Sequence, residues 1–210
     1  VEDTRLSESD YVPGILRELA VDGLLIDYIS NWPERLAELL ARYRVPAVWL
    51  NSKRAWNAVY VDDEEVGRRA AAHFAGLGHR RVSYLATSPG PDRSRWHYSL
   101  HDRSRGLAEG AESHGIKVVP LPELGASSEP ASVRRLAAAL GRPDGPSAVL
   151  ANSDHEASLV LVAATAAGLE IPGDVSLAAM SSRSVDLPGL AVDTFVLPQI
   201  ELATRAIDEL

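Results

Sequence analysis

The sequence predicts an α/β fold in which helices pack on parallel sheets, and two observations predict it. Short apolar runs alternate along the whole chain with longer amphipathic runs, the pattern of repeated βαβ units. The amphipathic runs are punctuated at both ends, by Asn, Pro or acidic residues at their starts and by Gly at their ends.

The elements follow in order. Gly23–Asp27 (GLLID) reads as a buried strand. Asn31 as cap and Pro33 in the first turn open a helix that runs to about Arg42. Ala47–Leu50 and Ala58–Val61 are the next strands. Asp62, Asp63, Glu64 and Glu65 place negative charge in the first turn of a helix that Gly78 closes. Val82–Ala86 is a strand, Thr87 to Tyr98 a loop, and a helix starting at Ser99 or Arg103 ends before Gly115. Lys117–Leu121 is a strand and Pro130–Leu140 a helix. Ala148–Ala151 is a strand, followed by a helix over Asp154–Ala167 that Gly168 closes. Val175–Met180 and Val192–Val196 are strands, and Pro198 opens a last helix. No internal repeat and no low-complexity tract interrupts this order.

Composition narrows the class. The 210 residues suffice for one large domain or two small ones. With 46% hydrophobic and 24% charged residues the chain reads as a globular protein, and no apolar run reaches the ~18–20 residues that a membrane span needs. There are 0 Cys, so neither a disulfide framework nor thiol chemistry is available, which fits a cytoplasmic protein. The net charge of −8 disfavours direct phosphate binding, so any DNA contact belongs to a part outside this chain. The motifs of common chemistries are missing: no phosphate-binding glycine loop, no dinucleotide fingerprint, no nucleophile elbow, and no H-E-x-x-H among the 6 His. Each common catalytic chemistry therefore lacks its local signature, so the chain is expected not to be an enzyme, with no cofactor and no metal; a convergent site built from distant residues stays open.

Ligands of parallel α/β sheets bind beyond the carboxyl ends of the strands. The residues to inspect are Asp27, Asn51, the loop Thr87–Arg103, Asn152–Asp154 and Ser181–Arg183.

Several segments, read in order, resemble the effector domain of LacI/GalR-family transcription regulators. They are Val21–Ile26 (VDGLLI), Val45–Leu50 (VPAVWL), Val61–Gly67 (VDDEEVG), Leu77–Leu85 (LGHRRVSYL), Ser99–Leu107 (SLHDRSRGL), Ser147–Ala157 (SAVLANSDHEA), Ala167–Met180 (AGLEIPGDVSLAAM) and Leu187–Ala206. The resemblance implies two Rossmann-like subdomains of the periplasmic-binding-protein-like type I kind, with parallel sheets flanked by helices and a small effector, sugar-like in that family, held between them. It implies a first subdomain from Val1 to about Ala86, a second from Thr87 to Phe195, and a return of Val196–Leu210 to the first. It implies a cytoplasmic homodimer that reads DNA through a headpiece not in this chain, of the helix-turn-helix type or, in fused relatives, of the GntR or AraC type. Val1–Thr4 resembles the end of the family's second strand, so the chain reads as truncated at both ends. A periplasmic sugar-binding protein of the same fold is the competing reading, and Gly-His-Arg-Arg with Ile-Pro-Gly-Asp-Val-Ser argues against it.

The resemblance also assigns residues. Arg103, in S-x-x-x-R-x-x-G, stands at the family's effector arginine; the alternative is a solvated helix Arg paired with Asp102 or Glu109. Ser99 is an effector contact or the cap of its helix. Asn51 is a polar contact or a turn residue. Ser153 and Asp154 stand where the family has Asn-Asp, with Asp154 also readable as a helix cap. Ser181 and Ser182 replace an Asp-Asp pair, which counts against an ordinary hexose. Arg183, Arg93 and Arg95 hint at an anionic ligand or are simply solvated loop arginines, and Trp96, His97 and Tyr98 form either a stacking surface or a loop anchor. Trp49 and Trp56 read as packing residues, and His79 as a structural cation at a helix end.

Overall fold

A computed structural model describes residues 21–27, 34–88, 90, 92–93, 96–125 and 129–210. The expected helix start at Asn31 and Pro33, Arg95, and the strand end at Val1–Thr4 lie outside these residues. The described residues divide into two compact units, those up to Val61 with Pro198–Leu210, and those of Asp62–Leu197.

In the first unit, β1 (Leu24–Asp27), β2 (Ala47–Leu50) and β3 (Ala58–Val59) form a parallel sheet in the order β1-β2-β3. Helix α1 (Glu34–Tyr43) presents Leu36, Leu39 and Leu40, spaced three and four apart, to Ile26, Ala47 and Trp49 of the sheet. Trp49 is fully buried there, with the Arg54 guanidinium 4.0 Å from its ring centroid. Trp56, by contrast, is exposed beside the same guanidinium. Helix α6 (Gln199–Glu209) packs on β2 and β3 and buries Ala206.

The second unit holds α2 (Asp63–Gly76), β4 (Arg81–Leu85), β5 (Thr87–Ser88), α3 (Tyr98–Ser113), β6 (Lys117–Val118), β7 (Leu124–Gly125), α4 (Pro130–Leu140), β8 (Ala148–Ala151), α5 (Asp154–Ala166), β9 (Ser176–Ser181), β10 (Val185–Leu187) and β11 (Leu190–Val196). Six strands order as β10-β11-β9-β8-β4-β6, all parallel except β10, which runs against β11; β5 and β7 pair separately. Side chains on a strand alternate between its two faces. Ala148 and Leu150 accordingly pack with Phe74, Leu107 and Ala111 of α2 and α3, while Val149 and Ala151 pack with Leu136, Leu140 and Val160 of α4 and α5. The result is a sheet covered by helices on both faces, which explains why β8 is apolar at every position.

Three features differ from the sequence reading. The chain passes between units after Val61, not near Ala86, because β4 hydrogen-bonds to β8 and β6 and α2 packs on α3, so both elements belong to the second unit. The return falls at Pro198 rather than Val196, because β11 keeps its register with β9 through Val196 and the Leu197 N–H still donates to the Ser181 carbonyl. β10 was not foreseen. It forms a hairpin with β11 across Pro188-Gly189, where Gly189 takes φ +77°, the geometry that Pro-Gly favours in a turn.

Helices α2 and α3 approach closely because Gly67 and Gly106 face each other's backbones. A methyl group at Gly67 would lie 2.5 Å from the Leu107 nitrogen, and one at Gly106 would collide with the Glu64 carbonyl. This crossing brings the first turn of α2 against the first turns of α3, and it positions the site.

Candidate functional site

A buried polar cluster lies where α2 and α3 meet the carboxyl ends of β4 and β8. Asp62 caps α2 by accepting the Glu65 N–H, so Asp63 is the first helical residue and is turned inward, fully buried. Arg103, one turn into α3, is 8% exposed. Its Nε–H donates to Asp63 Oδ1 at 2.6 Å and its Nη1 to Asn152 Oδ1 at 2.7 Å. The Tyr84 hydroxyl, from β4, donates to the same Asn152 oxygen at 2.7 Å. Asp63 Oδ2 is buried with no hydrogen-bond partner of acceptable geometry among the described residues.

The electrostatics follow from burial. Desolvation raises the Asp63 pKa against the opposing pull of Arg103. Burial raises the Tyr84 and Tyr98 hydroxyls, and the Asp63 carboxylate adds to both. The cluster is therefore an internally neutralised ion pair walled by two neutral phenols.

A second carboxylate anchors the neighbouring edge. Glu156, 3% exposed, accepts from the Thr87 N–H at 2.9 Å and from the hydroxyls of Thr87 and Ser153. The Ser153 hydroxyl oxygen in turn accepts the His155 N–H, so Ser153, and not Asp154, is the N-cap of α5. Asp154 and Ser181 line a neighbouring surface depression of about 630 Å³ together with Arg183, His155 and Asp186.

The residues singled out from sequence thus separate. Arg103 does not pair with Asp102 or Glu109; those carboxylates bind Arg105 and Arg68. Ser99 is buried and is not the cap of α3, since His97 holds that place and its Nδ1 lies 2.7 Å from the Ser99 hydroxyl. Asn51 lies in the first unit at the end of β2, at φ +51°, with its backbone N–H donating to the Val59 carbonyl. The aromatic triplet divides as well: Trp96 ties its indole N–H to the Gly90 carbonyl and stacks on His101, His97 caps α3, and Tyr98 faces Asp63. Arg93 is engaged by Glu123. Burial lowers the His79 pKa, which counts against the expected helix-end cation, and its Nδ1 lies 3.0 Å from the Ser147 hydroxyl. Sequence reasoning missed the roles of Asp63, Tyr84, Asn152 and Glu156. Asn152 alone carried a signal, as the first polar residue after β8.

Among the described residues no helix is long and apolar enough to cross a membrane, and no group of His and acidic side chains could hold a metal ion.

Fold and cluster define a periplasmic-binding-protein-like domain, and the family model of that description matches residues 71–210. The chain belongs to this family, and within it is an effector-binding domain of the LacI type. It is 31% identical over 169 residues to the HTH-type transcriptional repressor PurR of Escherichia coli and of Shigella boydii, matching 78% of this chain and 48% of those proteins. The chain thus spans about half the length of the curated relatives it matches. A LacI family transcriptional regulator from Mycobacterium smegmatis superimposes with TM-score 0.69 at 28% identity, covering 92% of this chain and 70% of that one. A sugar-binding LacI-family regulator from Escherichia coli, complexed with phosphate, gives TM-score 0.74 at 20% identity, over 92% and 69%, which speaks for the fold alone.

Proposed function

We propose that this chain is the effector-sensing and dimerisation core of a cytoplasmic LacI-type transcription regulator, with a small sugar-like effector bound at the carboxyl-end face of the six-stranded sheet. The observation that carries the reading is Arg103, an arginine buried at that face and fixed by Asp63 and Asn152. A guanidinium held in one orientation presents its fork of donors at low entropic cost, as recognition of hydroxyl or carbonyl oxygens requires. Ser99 borders the same helix turn, and Ser153, Asp154 and Ser181 supply polar groups along the neighbouring edge. Ser153 contributes only a lone pair, because its proton serves Glu156. Asn51 keeps the place of a polar residue at the carboxyl end of β2. The acidic net charge leaves DNA binding to a separate headpiece, in keeping with the helix-turn-helix naming of the PurR relatives.

The test is a thermal-shift screen of the natural full-length protein over sugars, sugar acids, polyols and nucleosides, with Arg103→Ala alongside. A ligand at ~100 times its dissociation constant raises stability by about 2.7 kcal/mol, a shift of roughly 5–10 °C for a domain of this size. The expected result is a hit that disappears in Arg103→Ala. A hit indifferent to Arg103 removes the site assignment.

A further inference from the structure

We propose that Asp63 sets the charge selectivity of this site: by neutralising Arg103 from inside the protein, it admits uncharged hydrogen-bonding ligands and turns away carboxylates and phosphates. The inference rests on the effector-site reading above and sharpens it.

Three observations carry it. First, the guanidinium already has its anion. The Arg103–Asp63 contact of 2.6 Å is at the short end for a charge-assisted hydrogen bond, and Asp63 is 1% exposed, so neither water nor salt screens the pair. A ligand carboxylate or phosphate would have to displace Asp63 from Arg103 or sit beside it as a like charge.

Second, the Asp63 carboxyl is turned inward and faces the Tyr98 hydroxyl as well as Arg103. Its Oδ2 is buried, and no cation other than Arg103 is paired with it among the described residues. A carboxylate in that place opposes a ligand oxyanion. Glu156, also buried, adds a further carboxylate along the same strand ends.

Third, the pair is held by the backbone. Asp63 and Arg103 sit on the two helices that cross at Gly67 and Gly106, so the backbones that carry the two side chains are held close together. The site is built with its counter-ion in place. Of the neighbouring loop arginines, Arg93 already pairs with Glu123, and Arg183 lines the separate depression beside Asp154 and Ser181.

The probe is inorganic phosphate, which needs no knowledge of the effector. Full-length wild type, Asp63→Asn and the double variant Asp63→Asn/Arg103→Gln are melted in sodium phosphate and in sodium chloride of equal ionic strength. The expected result is no difference for wild type, an upward shift of about 3 °C or more in phosphate for Asp63→Asn, and loss of that shift in the double variant. Asp63→Ser serves in the same role if Asp63→Asn does not fold. A phosphate shift in wild type equal to that of the variants overturns the proposal, as does its absence in a folded Asp63 variant. The wild-type arm reads independently of any variant. Failure of the effector reading is separate: it shows as a neutral ligand whose binding ignores Arg103, whatever phosphate does.

Discussion

Asp63 and Arg103 stand 40 positions apart in the chain and share one buried ion pair, with Nε donating to Oδ1 at 2.6 Å. Removing one partner of such a pair leaves the other as an uncompensated charge. Arg103→Ala is expected to cost about 3 kcal/mol of unfolding free energy, read from urea denaturation. Asp63→Asn combined with Arg103→Ala should recover part of that loss, giving a clear coupling energy in a double-mutant cycle. A single variant within ~0.5 kcal/mol of wild type would show that the pair holds nothing together.

Gly106→Ala tests the helix crossing that creates the pair. The added methyl meets the Glu64 backbone, which cannot yield as a flexible side chain would. The expected loss is about 1–3 kcal/mol, visible as a lower melting temperature. Gly76→Ala, on exposed α2 surface with nothing within 4 Å of the new atom, is the matched control and should be neutral or slightly stabilising.

Acid should favour the protein at Asp63. Burial raises its folded pKa above the ordinary value of 3.8, so the folded state binds this proton more tightly than the unfolded chain does. The stability tied to that proton is fully present below 3.8 and is lost as pH rises through the folded pKa. Measured by urea unfolding across acid to neutral pH, wild type should therefore lose stability relative to Asp63→Asn as pH increases. A difference that stays flat, or that grows in wild type's favour, contradicts the direction of the shift.

Glu156 fastens the loop after β4 to the start of α5. Glu156→Ala should release the Thr87 amide, which then exchanges with solvent much faster than in wild type, at a stability cost of about 2–3 kcal/mol. Glu156→Gln keeps an acceptor oxygen and should lose less. Unchanged exchange at Thr87 in the alanine variant would mean that other contacts hold the loop.

Local pattern made the regular elements legible. The run AVLA of β8 and the acidic opening and glycine close of α2 are decided by side-chain burial and backbone groups within a few residues, so they are written locally. Arg103 was legible through its motif, but its partner was not: Asp63 resembled its acidic neighbours in the first turn, and only inward rotation behind the Asp62 cap separates it from them.

By itself the sequence determined the alternation of strands and helices, the apolar faces they bury and the polar residues at the strand ends, because each depends on period and on neighbours near in the chain. The tertiary structure alone decided that β4 joins the second sheet, that Ser153 caps α5 while Glu156 takes its proton, and that Arg103 meets Asp63. Those outcomes turn on which distant backbones can touch, and here two glycines allow helices α2 and α3 to close on each other and bring the ion pair together.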